Sequence, residues 1–105
     1  MMTYDMFWLR YLRAHARPAT RWLHYVGSGL ALLSVVFALV HLNAWFLVAA
    51  PVVGYGFAWG AHLAVEHNKP ETFGHPLWSL ASDYRMFALF LVGRLDRHLR
   101  RAGIG

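Results

Sequence analysis

The chain has 105 residues, enough for one domain spanning residues 1–105, and 58% of them are hydrophobic while only 14% are charged. Soluble proteins have about a quarter of their residues charged, so this composition favours a membrane protein over a small soluble domain. Cysteine is absent, which excludes disulfides, thiolate metal sites and cysteine nucleophiles. Any bound metal must therefore be held by histidine or carboxylate side chains.

The formal net charge of +5 is concentrated at the two ends of the chain. Two groups of arginines flank the apolar middle: Arg10, Arg13, Arg17 and Arg21 before it, then Arg94, Arg97, Arg100 and Arg101 after it. Arginines beside apolar segments are typical of a cytoplasmic membrane surface rich in anionic lipid. We expect no nucleic-acid binding, because a soluble basic scaffold is lacking between the two groups.

The first predicted element is an amphipathic helix over Tyr4–Ala16. Aromatic and apolar residues recur along it at helical spacing, with arginines between them. Pro18 interrupts this helix, because the residue before a proline is pushed out of the α region. A second helix can begin at Pro18, since proline is tolerated in the first turn.

Two long apolar helices follow, over Pro18–Val40 and Ala44–His67, joined by a tight turn at 41–43. Each is long enough to cross a hydrocarbon core of about 30 Å. Pro51, inside the second of them, predicts a kink that transmembrane helices tolerate. The pattern predicts a two-span hairpin with both chain termini on the basic, cytoplasmic side.

A loop is predicted over 68–76, followed by one last helix over Leu77–Arg101. Its uncharged apolar run covers only Met86–Gly93, and crossing the membrane would place the arginine cluster outside. We therefore interpret this helix as an interfacial or packed amphipathic helix. The predicted fold class is all-α: an integral membrane helical bundle with a two-span hairpin and flanking amphipathic helices.

Three histidines and a glutamate are predicted to converge at the cytoplasmic end of the hairpin. His62 and Glu66, four residues apart, share one face of a helix, although an isolated pair of this kind is more often just a histidine paired with an acid. His24 lies at the same depth on the other span, and a bend at Pro18 can bring His15 beside it. Imidazole with carboxylate ligands suits non-haem Fe(II), with zinc and manganese as alternatives.

The remaining histidines are weaker candidates. His41 is expected at the hairpin tip as an interfacial residue, and His67 points roughly 100° away from Glu66. His75 lies in the loop within reach of the cluster, and His98 is expected at the surface among arginines.

Three cations, Arg21, Lys69 and Arg85, can hold an anionic substrate, and arginine suits bidentate contact with a carboxylate. Contact with lipid phosphate, or pairing with Asp83 or Glu71, is an equally good interpretation. Three aromatic residues, Tyr55, Phe57 and Trp59, can line an acyl cavity or simply pack between helices.

These residues also resemble a known family, the Mpo1-like family, over about Tyr11–Phe87. The opening match comprises Tyr11-Leu12, His15, Arg21-Trp22-Leu23-His24 and Gly27. The segment Gly60–Pro70 resembles the family's central His-x-x-x-Glu-x-Asn-x-Pro motif. The tail motif of the bacterial branch is matched by Thr72-Phe73, Pro76–Leu80 and Asp83–Met86.

The resemblance implies an Fe(II)-dependent dioxygenase, since the fungal member looks like one that acts in α-oxidation of 2-hydroxy fatty acids. It implies iron ligands at His15, His24 and His62, with Glu66 as a further ligand or as an acid that orients one. We expect a 2-hydroxy fatty acid or related lipid and dioxygen as substrates, with Arg21 or Arg85 holding the carboxylate. The bacterial tail motif favours the bacterial inner membrane.

Two alternatives to the enzyme stay open. One is a non-catalytic membrane structural or lipid-binding protein, and the other is a histidine-ligated haem protein. A transporter is disfavoured, because the middle of each span lacks an ionisable group. A homodimer is compatible with two spans but no motif supports it.

Overall fold

The computed structural model describes residues 1–104. Helices are the only regular secondary structure within this range. Five α-helices follow one another: α1 (Tyr4–Arg13), α2 (Pro18–His41), α3 (Trp45–Ala61), α4 (Pro76–Leu91) and α5 (Leu95–Arg101). A π-helical turn, His62–Glu66, extends α3, and a short 3-10 turn, Glu71–Phe73, precedes α4. The predicted all-α class is confirmed, because no strand occurs within residues 1–104.

The hydrophobic core lies where α1 packs against α4 and α5. Thr3 caps α1 by accepting a hydrogen bond from the Met6 amide. One face of α1 is fully buried and supplies most of the large core side chains: Phe7, Trp8, Tyr11 and Leu12. This core places the end of α1 against the start of α2, where the candidate site is found.

Helices α2 and α3 form the predicted hairpin, and the turn between them lies at the predicted position. Leu42 takes the left-handed conformation that ends α2, and the Asn43 side chain accepts a hydrogen bond from the Trp45 amide. The two helices approach closely at Gly27, where a Cβ atom would lie 2.7 Å from the Cβ of Phe57. Glycine at this position therefore permits the contact.

Two helical segments, Pro18–His41 and Trp45–Glu66, are long and apolar enough to cross a membrane. Only 28% and 22% of their apolar windows are buried within the chain. Large apolar side chains along the hairpin are exposed instead, among them Leu39, Val40, Val48 and Val52. The hairpin thus presents an apolar outer surface rather than forming the core of the bundle.

The prediction of one continuous last helix over Leu77–Arg101 is wrong. Helix α4 ends at Leu91, Gly93 adopts a φ of +73°, and the Arg94 amide donates to the Leu89 carbonyl at 2.8 Å. This is a helix-ending arrangement that glycine accommodates without strain. The chain turns there, and Leu95 and Leu99 of α5 are buried in the core.

Candidate metal centre

Three histidines from different parts of the chain meet at the end of the hairpin opposite its 41–43 turn. His15 lies in the turn after α1, His24 lies on α2, and His62 opens the π-helical turn after α3. All three are buried, with 3% or less of their surface exposed. Their candidate ligand atoms lie within 4.8 Å of one another, a spacing that can hold a metal ion.

The hydrogen bonds behind each ring determine which nitrogen faces the centre of the cluster. The Nδ1 atom of His15 lies 2.6 Å from the Tyr11 carbonyl oxygen, and that of His24 lies 3.0 Å from the Thr20 carbonyl oxygen. Carbonyl oxygens only accept, so both Nδ1 atoms must carry the proton. The Nε2 atoms of both neutral rings therefore keep a free lone pair, as metal ligation requires.

His62 is oriented in the same way by a side-chain amide. Its Nδ1 atom lies 2.7 Å from Oδ1 of Asn68, whose Nδ2 atom donates to the Ala14 carbonyl at 3.0 Å. The second bond fixes which end of the amide faces His62, because only nitrogen can donate to a carbonyl. Asn68 therefore joins the turn after α1 to the turn after α3 and holds the third ring in place.

The closest contact in the cluster is unfavourable without a cation. The Nε2 atoms of His15 and His24 lie 3.0 Å apart, and both are acceptors when Nδ1 carries the proton. Burial lowers the pKa of His15 well below its usual value, and the neighbouring histidines lower that pKa further. Three neutral, buried imidazoles with converging lone pairs fit a divalent transition metal.

Local structure explains how His15 and His24, nine residues apart, come together. Arg17 takes an extended conformation and Pro18 starts α2, so the two histidines do not share one continuous helix. The Arg21 guanidinium donates to the carbonyl oxygens of His15 and Ala16 at 2.8 and 2.9 Å. Arg21 therefore stabilises the turn through these two hydrogen bonds. Its contact with a substrate carboxylate stays a prediction.

Glu66 is not brought into the three-histidine group. Its Oε1 atom accepts a hydrogen bond from the Arg17 amide at 2.5 Å, outside the cluster of ligand atoms. His62 and Glu66 lie in a π-helical turn rather than in the expected α-helix. The Glu66 carboxylate is engaged by the Arg17 amide. Iron ligation by Glu66 therefore stays a prediction that this arrangement does not favour.

Asp83 is a carboxylate beside the cluster that sequence reasoning did not select. It accepts a hydrogen bond from the Tyr11 hydroxyl, and one oxygen lies 4.0 Å from Nε2 of His24. Burial raises the pKa of Asp83 to about 7, although the Tyr11 hydrogen bond acts in the opposite direction. The only signal for it in the sequence was its place in the tail motif.

Arg85, a predicted substrate residue, contacts an aromatic side chain of the core. Its guanidinium lies 4.2 Å from the centre of the Trp8 ring, a cation–π contact. Trp8 in turn donates to Nδ1 of His98 at 3.1 Å. His98 lies near the surface among arginines, as expected, and it also accepts this hydrogen bond from Trp8. A role for Arg85 in holding a carboxylate stays a prediction.

The other candidates lie outside the cluster. His41 is exposed at the hairpin tip, as expected, while His75 packs against the rings of Phe7 and Trp78. Glu71, considered as a partner for a substrate-binding cation, is instead paired with Arg10 at 2.7 Å.

A cavity of about 280 Å³ opens beside His24, between α2, α3 and α4. Of the three aromatic residues considered for a cavity wall or for helix packing, Tyr55 lines this cavity, whereas Phe57 and Trp59 do not. Its walls comprise His24, Ser28, Ala31, Val35, Ala50, Pro51, Gly54, Tyr55, Ala58, Leu80, Asp83 and Tyr84. Polar atoms are gathered near His24 and Asp83, so the cavity joins the cluster to an apolar space.

Comparison with known proteins identifies the family. The chain belongs to the Mpo1-like family, because the family model described as "2-hydroxy-palmitic acid dioxygenase Mpo1-like" matches residues 1–95. No curated protein and no solved structure matches the chain.

Proposed function

We propose that this member of the Mpo1-like family is an Fe(II)-dependent dioxygenase that shortens 2-hydroxy fatty acids by one carbon at a membrane surface. The observation that carries the proposal is the set of three buried histidines whose Nε2 lone pairs converge. The family description names a 2-hydroxy acid dioxygenase, which supports this reaction class.

His15, His24 and His62 would hold the metal through Nε2. When bound, ferrous iron supplies the centre at which dioxygen and the hydroxy acid react. One dioxygen and one 2-hydroxy acid balance against the shortened acid, carbon dioxide and water. The C1–C2 bond breaks and the substrate loses four electrons to dioxygen, so no separate reductant is required.

Other residues of the chain orient the three histidine rings and exclude water from the site. The backbone carbonyls of Tyr11 and Thr20 and the amide of Asn68 hold the three rings in one tautomer. Burial of the rings limits access of water from the cytoplasmic side. Asp83, held by Tyr11, offers a carboxylate oxygen beside the cluster that can accept the proton of a substrate hydroxyl.

The proposed location is a membrane, with α2 and α3 crossing it and both termini on the cytoplasmic side. The exposed apolar surface of the hairpin supports this, as do exposed Trp22 and Trp45 at its opposite ends. A fatty acyl chain can then stay in an apolar environment while its carboxyl end reaches the histidines. The bacterial inner membrane is proposed from the resemblance of the tail motif to the bacterial branch.

The first test is metal content. The protein would be purified anaerobically in detergent, loaded with Fe(II), desalted and analysed by mass spectrometry for metal. We expect near-stoichiometric iron in the wild type and in His41→Ala, a control at the hairpin tip, and its loss in His62→Ala. The loaded protein should then consume dioxygen with a 2-hydroxy fatty acid. Iron retention in His62→Ala would contradict the site, and iron without turnover would contradict the reaction.

A further inference from the structure

The cavity between α2, α3 and α4 is lined by residues that lie on one face of each helix. On α2 the lining residues are His24, Ser28, Ala31 and Val35, spaced by three or four residues as one helical face requires. The face of α3 includes Ala50, Gly54 and Ala58, also four residues apart. The cavity, called the channel below, therefore extends along the hairpin.

Polarity changes along this channel. One end is lined by His24, Ser28, Asp83 and Tyr84, and the other by Ala31, Val35, Ala50 and Pro51. The distance along α2 from His24 to Val35, eleven residues, is about 16 Å at the rise of an α-helix. A ligand that matches both ends must have one polar head and a long apolar tail.

Small side chains line the middle of the channel on the side of α2 and α3. A Cβ atom on Gly54 would lie 3.5 Å from the Cβ of Ala31, so the two helices touch there through their smallest residues. Ala31 is itself only 6% exposed, so it is closed off from the outer surface. Leu32, the next residue, is 47% exposed on the outer face of the hairpin and offers a matched control position.

We propose that this channel binds the acyl chain of the 2-hydroxy fatty acid, with the hydroxy acid head at His24 and Asp83 and the methyl end at Val35 and Ala50. The inference rests on the proposed function for the identity of the head group. Asp83 then accepts the hydrogen bond of the 2-hydroxyl. Ala31 and Val35 set the length of chain that fits.

The test labels the channel directly, without requiring turnover. A 2-hydroxy fatty acid carrying a diazirine near its methyl end would be photolysed with the full-length protein in detergent, and labelled peptides would be mapped by mass spectrometry. We expect labels on the channel-facing residues near Val35 and Ala50, suppressed by excess unlabelled 2-hydroxy fatty acid. Ala31→Phe should abolish this labelling, whereas Leu32→Phe should leave it unchanged.

Chain-length preference gives a second readout. Ala31→Phe should reduce kcat/KM for long chains by about tenfold or more relative to short ones, a size expected for steric exclusion in an apolar pocket. Val35→Ala lengthens the channel and should shift the preference towards longer chains. This second variant keeps the test valid if Ala31→Phe does not fold.

The outcomes separate the channel from the reaction. Labelling at the channel with no turnover by the iron-loaded protein would retain the channel and overturn the proposed function. Turnover with labels spread over the outer face, or unchanged in Ala31→Phe, would overturn the channel. Cross-links between two copies of the chain, formed by a photoreactive amino acid placed at Val35 or Ala50, would also overturn it, because a second copy would then fill the space.

Discussion

The Nε2 atoms of His15 and His24 lie 3.0 Å apart, although one residue follows α1 and the other lies on α2. Both rings donate from Nδ1 to backbone carbonyls, so two lone pairs face each other in a buried space. A divalent cation between them turns this repulsive contact into ligation. Metal binding is thus expected to stabilise the fold as well as serve a reaction.

Adding Fe(II) under anaerobic conditions, or zinc as a redox-inert substitute, is expected to raise the unfolding temperature of the wild-type protein. A ligand that binds only the folded state adds about 2.7 kcal/mol at one hundred times its dissociation constant. The measurement is thermal unfolding in detergent with and without metal. His24→Ala should lose the increase, whereas His67→Ala, an exposed neighbour of the site, should keep it. An equal increase in His24→Ala would mean that the metal binds elsewhere.

Asn68→Ala is expected to weaken metal binding although Asn68 is not itself a proposed ligand. Its amide orients His62 and bonds to the Ala14 carbonyl, and losing such a partner typically costs about 10–100-fold in metal affinity. Competition with a chelator of known affinity measures the change. Asn43→Ala removes a comparable asparagine from the hairpin tip and should bind metal normally. Unchanged affinity in Asn68→Ala would show that His62 is held by other contacts.

Gly27→Ala is expected to destabilise the hairpin. Its new Cβ atom would lie 2.7 Å from the Cβ of Phe57 and 3.2 Å from the Gly54 carbonyl oxygen, so α2 and α3 must separate. Overpacking of this kind costs about 1–3 kcal/mol. Gly56→Ala, where nothing lies within 4 Å of the new atom, should be neutral or stabilising by up to about 1 kcal/mol. Unfolding in detergent should rank the two variants in this order, and equal stabilities would contradict the close contact.

Acidification should weaken the contact between Trp8 and His98. Partial burial, with Arg85, Arg101 and Arg97 nearby, lowers the pKa of His98, so the unfolded chain takes up this proton more readily than the folded chain. The stabilising contribution is therefore complete above the ordinary histidine pKa of about 6.5 and is lost as the pH falls below it.

The check is the free energy of unfolding between about pH 7.5 and 5, followed by tryptophan fluorescence, for wild type and His98→Gln. The glutamine side chain can still accept from Trp8 but does not titrate in this range. We expect a shallower pH dependence in the variant. Parallel curves for the two proteins would assign the pH dependence to other groups.

Much of the fold could be predicted because it depends on local signals. Pro18 breaks the chain between two helical patterns, and an uncharged apolar segment interrupted at 41–43 predicts a hairpin of two long helices. The last helix was predicted wrongly because Gly93 lies inside an otherwise helical pattern. A glycine at this position ends the helix only if the residues that follow it can be buried in the core, as Leu95 and Leu99 are.

The sequence by itself determined the helical class, the hairpin and the three histidines that can meet at one end of it. Periodicity, proline breaks and residue type act over a few residues, so they can be read along the chain. Only the tertiary structure decided that Asn68 orients His62, that Glu66 accepts a hydrogen bond from the Arg17 amide instead of joining the three histidines, and that Asp83 approaches from α4. Those relationships depend on packing between distant helices, and no local pattern determines such distances.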